Sequence, residues 1–242
     1  VSEHVKRKEI LFFYRFYNNF HQIIAQSDDM KNDLIENFRI SEYKIIKINN
    51  PVDFDLINRL KIESITIDFD TSYKNIVAIG NLSPRKGFDL LLNVMNELKG
   101  ENIHLTILGD GAFKDKLAQQ KDELSLNNVT FKGKVSNPFV YLKNADLFVL
   151  SSRYEGFPNV LLEAGACGTY SLANNCPGGI NEIVQEGINA EVFPISDSKG
   201  FAEKIKEVLQ ENHSEEQIIE SIHSRFSKEK IIQQYESIFD KI

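Results

Sequence analysis

The chain has 242 residues, 35 of them acidic against 28 lysines and arginines, for a formal net charge of −7, and 42% of them are apolar. That composition supplies a large core and lies far from that of disordered chains, while basic residues scattered among carboxylates argue against a nucleic-acid partner held by its phosphates. No apolar run approaches the roughly 18 residues of a membrane span, and Cys167 and Cys176 have neither a disulfide framework nor a Cys or His neighbour at metal-ligand spacing, so reduced thiols in a cytoplasmic protein are expected.

The start, Val1-Ser2-Glu3-His4, is neither a methionine nor a signal peptide and suggests a true N-terminus upstream. A basic-aromatic helix over Lys6 to Phe20 is expected first, then a strand (Gln22 to Ala25), a helix (Asp28 to Phe38) and a second strand (Tyr43 to Ile48) before Asn49-Asn50-Pro51 breaks the pattern. Two strands are too few for a covered parallel sheet, so residues 1–52 read as the end of an incomplete first α/β domain, its edges open to a second copy of the chain. Residues 53–70 read as an interdomain connection.

From residue 71 the chain alternates β-rich runs with amphipathic helices. The expected strands are Ile76 to Ile79, Ile103 to Leu108, Val129 to Phe131, Asp146 to Leu150, Tyr170 to Ala173 and Ala190 to Phe193. Helices are expected after Pro84 (Phe88 to Leu98), around Leu117 to Leu126, from Val160 to Cys167 and around Phe201 to Leu209. Such alternation predicts a doubly wound, Rossmann-like parallel sheet over residues 71–226, with residues 227–242 forming a last helix that packs on the first domain.

Ligands of open α/β sheets bind beyond the carboxyl ends of the strands. Four such loops are informative. Gly80-Asn81-Leu82-Ser83-Pro84-Arg85-Lys86-Gly87 sets two cations beside a helix start, which suits a diphosphate, although a solvated Arg-Lys pair would look the same. Gly109-Asp110-Gly111 is a tight turn whose glycines would let a ligand approach closely; a dinucleotide fingerprint fails there because Lys114 stands where the third glycine should be. Glu155-Gly156-Phe157-Pro158-Asn159 opens the helix that carries Glu163, four residues after Asn159 and on the same face. A carboxylate beside Val160-Leu161-Leu162 needs a partner, so Glu155 and Glu163 are read as flanking the anion site rather than as idle surface acids. The fourth loop, Asn174 to Ile183, holds Gly178, Gly179 and Glu182; its glycines would admit a ligand or a neighbouring loop, and Glu182 would suit the helix dipole equally well.

Together these segments resemble the retaining glycosyltransferases of family 4, the glycosyltransferase group 1 enzymes of the GT-B fold. Glu155 to Ala164 is similar to their E-x7-E signature, Gly80 to Gly87 to their diphosphate loop, and Gly109-Asp110-Gly111 to their nucleoside-side turn. Phe131-Lys132-Gly133-Lys134-Val135 is similar to the segment that meets the base, and Asn50-Pro51-Val52-Asp53 to the interdomain element. The resemblance implies a hexosyl or N-acetylhexosaminyl transfer from a nucleoside diphosphate sugar, UDP-linked by preference, to a glycan or lipid-linked acceptor. Glu155 would meet the sugar, Glu163 the ribose and Lys86 the diphosphate, with Gly80, Asn81, Arg85, Gly109, Asp110, Gly111, Lys134, Val135, Gly156, Phe157, Pro158 and Asn159 lining the donor site. The resemblance also places His4, with Glu155 and Lys86, at the reaction centre. Asn81 departs from the pattern, since the family usually has arginine there, so either Arg85 substitutes or phosphate binding weakens.

No metal or other cofactor is required on this reading. Asp53-Phe54-Asp55 and Asp68-Phe69-Asp70 match a metal-binding D-x-D but fall in the connection, away from the strand-end loops. A non-catalytic sugar-nucleotide-binding module is the competing class, and a GT-B epimerase or phosphorylase is less favoured. The chain alone is expected to bind nucleotide without transferring sugar, because acceptor and donor must be held together. The basic-aromatic helix, with Lys6-Arg7-Lys8, would either pack on the rest of the first domain or rest peripherally on the inner face of a membrane.

Overall fold

The structure, a computed structural model, describes residues 13–239. His4 and Lys6-Arg7-Lys8 lie outside the described residues. The expected helix over Lys6 to Phe20 is described only at its end, where Arg15–Asn19 form a 3-10 turn. β1 (Ile23–Ala25) and β2 (Ile45–Lys47) then pair in parallel, joined by α1 (Asp28–Glu36), whose first turn is capped by Ser27 accepting from the Met30 amide at 3.1 Å. The second strand is shorter than expected: Tyr43 and Lys44 belong to a 3-10 turn, held by the Lys44 ammonium on the carbonyls of Asn18 and Phe20. Ala25, Leu34, Phe38, Ile40 and Ile45 form a small core of their own.

The connection is not structureless. Asp53 accepts from the Leu56 amide at 3.0 Å and starts α2 (Phe54–Leu60), a helix that hydrophobic spacing alone did not mark. Beyond it come β3 (Lys74–Ile79), α3 (Phe88–Glu97), β4 (Ile103–Leu108), α4 (Lys114–Glu123), β5 (Val129–Gly133) and α5 (Phe139–Asn144). The second half continues with β6 (Leu147–Leu150), α6 (Asn159–Cys167), β7 (Ser171–Asn174), α7 (Ile180–Ile183), β8 (Ala190–Phe193), α8 (Ser198–Gln210), α9 (Glu215–Phe226) and α10 (Lys228–Phe239).

The six strands β3 to β8 make one all-parallel sheet in the order β5-β4-β3-β6-β7-β8. Their side chains alternate between two cores. Ile76, Ala78, Leu147 and Val149 face α3 and α8, whereas Val77, Phe148 and Leu150 face α5, α6 and α9. Chain direction across the sheet reverses between β3 and β6, so the loops leaving these two strands flank the crevice where such sheets bind ligands. Both thiols lie in the second core, and burial pushes each of them up to about 12.

The small sheet is stitched to the large one. Val52 donates its amide to the Phe226 carbonyl at 2.8 Å and accepts from the Lys228 amide at 3.0 Å, while Lys228 also reaches Asp53 at 3.1 Å. This turns α10 back beside β2, with Ile46, Ile48, Gln234 and Ile238 lining the cavity between them. A second stitch is Glu182, in α7. Its carboxylate accepts from the Asp28 amide at 2.7 Å, Lys47 at 3.0 Å and Asn49 at 3.1 Å. Replacing Glu182 with alanine is expected to destabilise the chain by about 1.5–3 kcal/mol, since three bonds to one charged group are lost. Urea unfolding would measure it, and an unchanged midpoint would remove Glu182 from the interface.

Candidate functional site

The loop after β3 leaves Ser83 extended, makes a single 3-10 turn over Pro84–Lys86 and ends at Gly87 in the left-handed region, φ 64°. A β-carbon on Gly87 would stand 2.0 Å from the Ser151 carbonyl oxygen, so the loop after β6 packs directly against this turn. Three contacts lock the two loops. Ser151 donates its hydroxyl to the Lys86 carbonyl at 2.8 Å, and the Arg153 amide donates to the Arg85 carbonyl at 2.8 Å. The Arg153 guanidinium grips both Asp89 oxygens at 2.7 and 2.6 Å and also reaches the Pro84 carbonyl.

Lys86, Arg85 and Glu155 converge within that frame. One Glu155 oxygen accepts from Lys86 Nζ at 2.6 Å and from the Ser152 hydroxyl at 2.6 Å, and the other accepts from Arg85 Nη1 at 2.7 Å. The Glu155 side chain is 6% exposed and that of Lys86 11%. Burial pushes the Glu155 carboxyl up, but Lys86, Ser152 and Arg85 outweigh it and hold the group below the usual carboxylate range. Gly80 has a defined part in this: its missing β-carbon leaves room for the Lys86 methylenes, which would come within 3.1 Å of one. Asn81 is exposed beside Gly111.

Glu163, one turn into α6, is the opposite case. It is partly buried, makes no hydrogen bond or ion pair with a described residue, and burial raises its carboxyl above the usual range. Asn159, at the start of the same helix, is exposed and accepts from the Asn50 amide at 2.6 Å across the boundary between the sheets.

At the Gly109-Asp110-Gly111 turn, whose glycines were expected from sequence to let a ligand approach, the space a side chain would fill is occupied by protein. Their β-carbon positions lie 1.9 Å from the Gly80 carbonyl oxygen and 2.1 Å from the Asn81 side chain, so what approaches them is the neighbouring loop. The same choice is made at Gly178 and Gly179, which admit the Glu155 carbonyl and the Phe157 ring. The Gly178 amide also donates to Asp29 at 2.8 Å. Lys134 is exposed and Val135 packs on the second core, while Gly133, φ 78°, faces open space. Both D-F-D pairs have local work: Asp53 caps α2, Asp68 pairs with Lys132 at 2.7 Å, and Asp70 accepts from Ser72. Among the described residues no group of three or more His, Cys, Asp or Glu side chains could hold a metal.

Glu155, Gly156, Phe157 and Asn159 line one wall of a cleft of about 590 Å³, with Gln26, Ser27, Asp29 and Met30 opposite. Sequence reasoning missed Ser152 and Arg153. Ser152 is adjacent to the motif and could have been included; the Arg153–Asp89 pair spans 64 residues and has no local signal.

The sheet order is that of a doubly wound α/β fold, and the structure shares the GT-B fold of solved glycosyltransferases. Residues 62–225 match the sequence model of the family described as glycosyl transferases group 1, and the chain belongs to that family. It is 31% identical over 186 residues to an uncharacterised glycosyltransferase of Methanocaldococcus jannaschii, covering 74% of this chain and 46% of that one. It is also 28% identical over 191 residues to the N-acetylgalactosamine-N,N'-diacetylbacillosaminyl-diphospho-undecaprenol 4-alpha-N-acetylgalactosaminyltransferase of Campylobacter jejuni, covering 78% and 51%. The chain thus spans about half the length of the curated relatives it matches. Among solved structures, Anabaena HepE in complex with UDP and glucose shares the fold with a TM-score of 0.84 at 22% identity, over 100% of this chain and 69% of that one.

Proposed function

We propose that this chain carries the donor site of a retaining family 4 glycosyltransferase, which moves a hexosyl or N-acetylhexosaminyl unit from a UDP-sugar to a glycan or lipid-linked acceptor. The observation that carries the reading is the buried Glu155 set between Lys86 and Arg85 at the point where the sheet reverses. Support also comes from the UDP and glucose bound in HepE and from the undecaprenol-linked acceptor in the name of the Campylobacter relative.

The barrier in such a transfer is charge separation between an oxocarbenium-like sugar and a departing diphosphate. Lys86 and Arg85 meet the diphosphate, with Arg85 taking the place left by Asn81, and act where negative charge develops. Glu155 accepts from the sugar hydroxyls and Glu163 from those of the ribose. The acceptor enters from the cleft facing α1 and attacks from the leaving-group side, its proton passing to a phosphate oxygen, so that no metal and no separate base is needed. His4 near the reaction centre rests on the family resemblance alone. A lipid-linked acceptor would hold the protein peripherally at the inner face of the membrane.

Calorimetry with UDP, GDP and their sugar conjugates tests the reading; absence of binding by every one would end it. Glu163→Gln is expected to weaken nucleotide binding by about 1–1.5 kcal/mol, the difference between a hydrogen bond to a charged acceptor and one to a neutral acceptor. The same change is expected to raise the melting temperature of the free protein at neutral pH. Burial raises this carboxyl, so its ionisation costs stability as pH rises through the raised value, and the gain should disappear in acid.

The alternative, a module that holds a sugar nucleotide without transferring its sugar, is favoured by one observation, the exposed Asn81. Donor hydrolysis with and without acceptor separates the two.

A further inference from the structure

We infer that Glu155 makes the donor site discriminate between a sugar nucleotide and the free nucleoside diphosphate, by holding the same two cations that a diphosphate needs. The inference rests on the donor-site reading above. It adds to it that Glu155 works against the leaving product as well as toward the sugar.

Glu155 has three strong partners in the site. Lys86 and Ser152 share one oxygen and Arg85 takes the other, at 2.6 to 2.7 Å. A diphosphate arriving at Lys86 and Arg85 brings at least two negative charges next to this carboxylate and draws the cations toward itself. The Glu155 side chain is only 6% exposed, so water compensates the carboxylate poorly. It is left with the Ser152 hydroxyl and a like-charged neighbour, an arrangement that costs free energy. A hexose on the diphosphate changes the balance, since its hydroxyls donate to the carboxylate that the cations release. The sugar nucleotide therefore satisfies both sides of the ion cluster, and the bare diphosphate only one. Stronger binding of substrate than of product follows from the geometry, and so does release of the product once the sugar has gone.

The test is calorimetry of the whole chain with UDP, UDP-glucose and UDP-N-acetylglucosamine, on the parent and on Glu155→Gln. Glutamine keeps the size and removes the charge. UDP is expected to bind the variant about tenfold more tightly, the scale of one charge–charge repulsion a few ångströms apart in a partly screened site. The ratio of UDP-sugar to UDP affinity is expected to fall by more than that. Unchanged or weaker UDP binding to a folded variant would overturn the inference while leaving the donor-site reading intact; absence of nucleotide binding by the parent would overturn both. A melting curve establishes that the variant folds. Ser152→Ala gives an independent arm: with its last neutral donor removed, Glu155 should oppose diphosphate more strongly, weakening UDP binding about threefold to tenfold. The same serine change made on Glu155→Gln should have little effect, and equal effects on both backgrounds would also overturn the inference.

Discussion

Replacing Lys86 with methionine is expected to weaken UDP binding about 100-fold and to lower the melting temperature in the same variant, since charge-assisted bonds to phosphate are lost together with a buried ion pair. Methionine keeps most of the stem that lies over Gly80, so the loss reports charge rather than packing. Removing one partner of a fully buried pair costs about 3–5 kcal/mol; because Arg85 and Ser152 still hold Glu155, the stability loss should fall below that range. Acid titration adds a check on the same group. The Glu155 carboxyl is held below the usual range, so its contribution is present at neutral pH and disappears as pH falls through the lowered value. In the methionine variant that acid-sensitive part should shrink. Calorimetry with UDP and melting curves between neutral pH and pH ~3 measure all three effects, and a variant that binds UDP like the parent would exclude Lys86 from the donor site.

Gly109→Ala should act on the fold itself. At φ 144° and 1.9 Å from the Gly80 carbonyl oxygen, a methyl group there meets backbone on the neighbouring strand end. Nothing flexible can move aside, because the Gly80 amide is bound to Leu108 at 3.0 Å and β3 is paired along its length with β4. A loss of at least about 3 kcal/mol is expected. Gly100 is the control. It also has a positive φ, 87°, but open space around it, so Gly100→Ala should cost only backbone strain, about 1 kcal/mol. Urea midpoints of the two variants compare steric clash with conformation alone, and equal shifts would show that the contact with Gly80 is not what demands glycine at residue 109.

All six strands of the large sheet were legible because each is a short β-rich run; β3, β6 and β7 are almost wholly buried, while the edge strands β5 and β8 still carry β-branched or aromatic residues between polar ones. α2, α5 and α9 were missed for different reasons. Phe54–Leu60 and Phe139–Asn144 are too short to show a helical period, and Glu215–Phe226 buries a narrow stripe of Ile218, Ile222 and Phe226 among charged residues. The identity of the site's cations and carboxylates could be read from loops that follow strands. Which of them touch could not, since Glu155 meets Arg85 and Lys86 only after two strands distant in sequence lie side by side. The glycines were read only in part: at Gly109 a ligand was expected, while at Gly178 the neighbouring loop was one of the two readings. A glycine in a strand-end loop signals a close approach, but sequence does not say by what; at Gly87, Gly109 and Gly178 the neighbour is the protein's own backbone.

The burial of both thiols has a practical consequence for following this molecule in motion. A buried sulfhydryl whose pKa burial pushes up to about 12 reacts poorly with maleimides at neutral pH. The native chain therefore offers a low background, in which cysteines introduced at exposed Asn37 and Asn159, on opposite walls of the cleft, would take up spectroscopic labels preferentially. The separation between two such labels, followed as nucleotide is added, would give the width of the cleft directly and without a transfer assay.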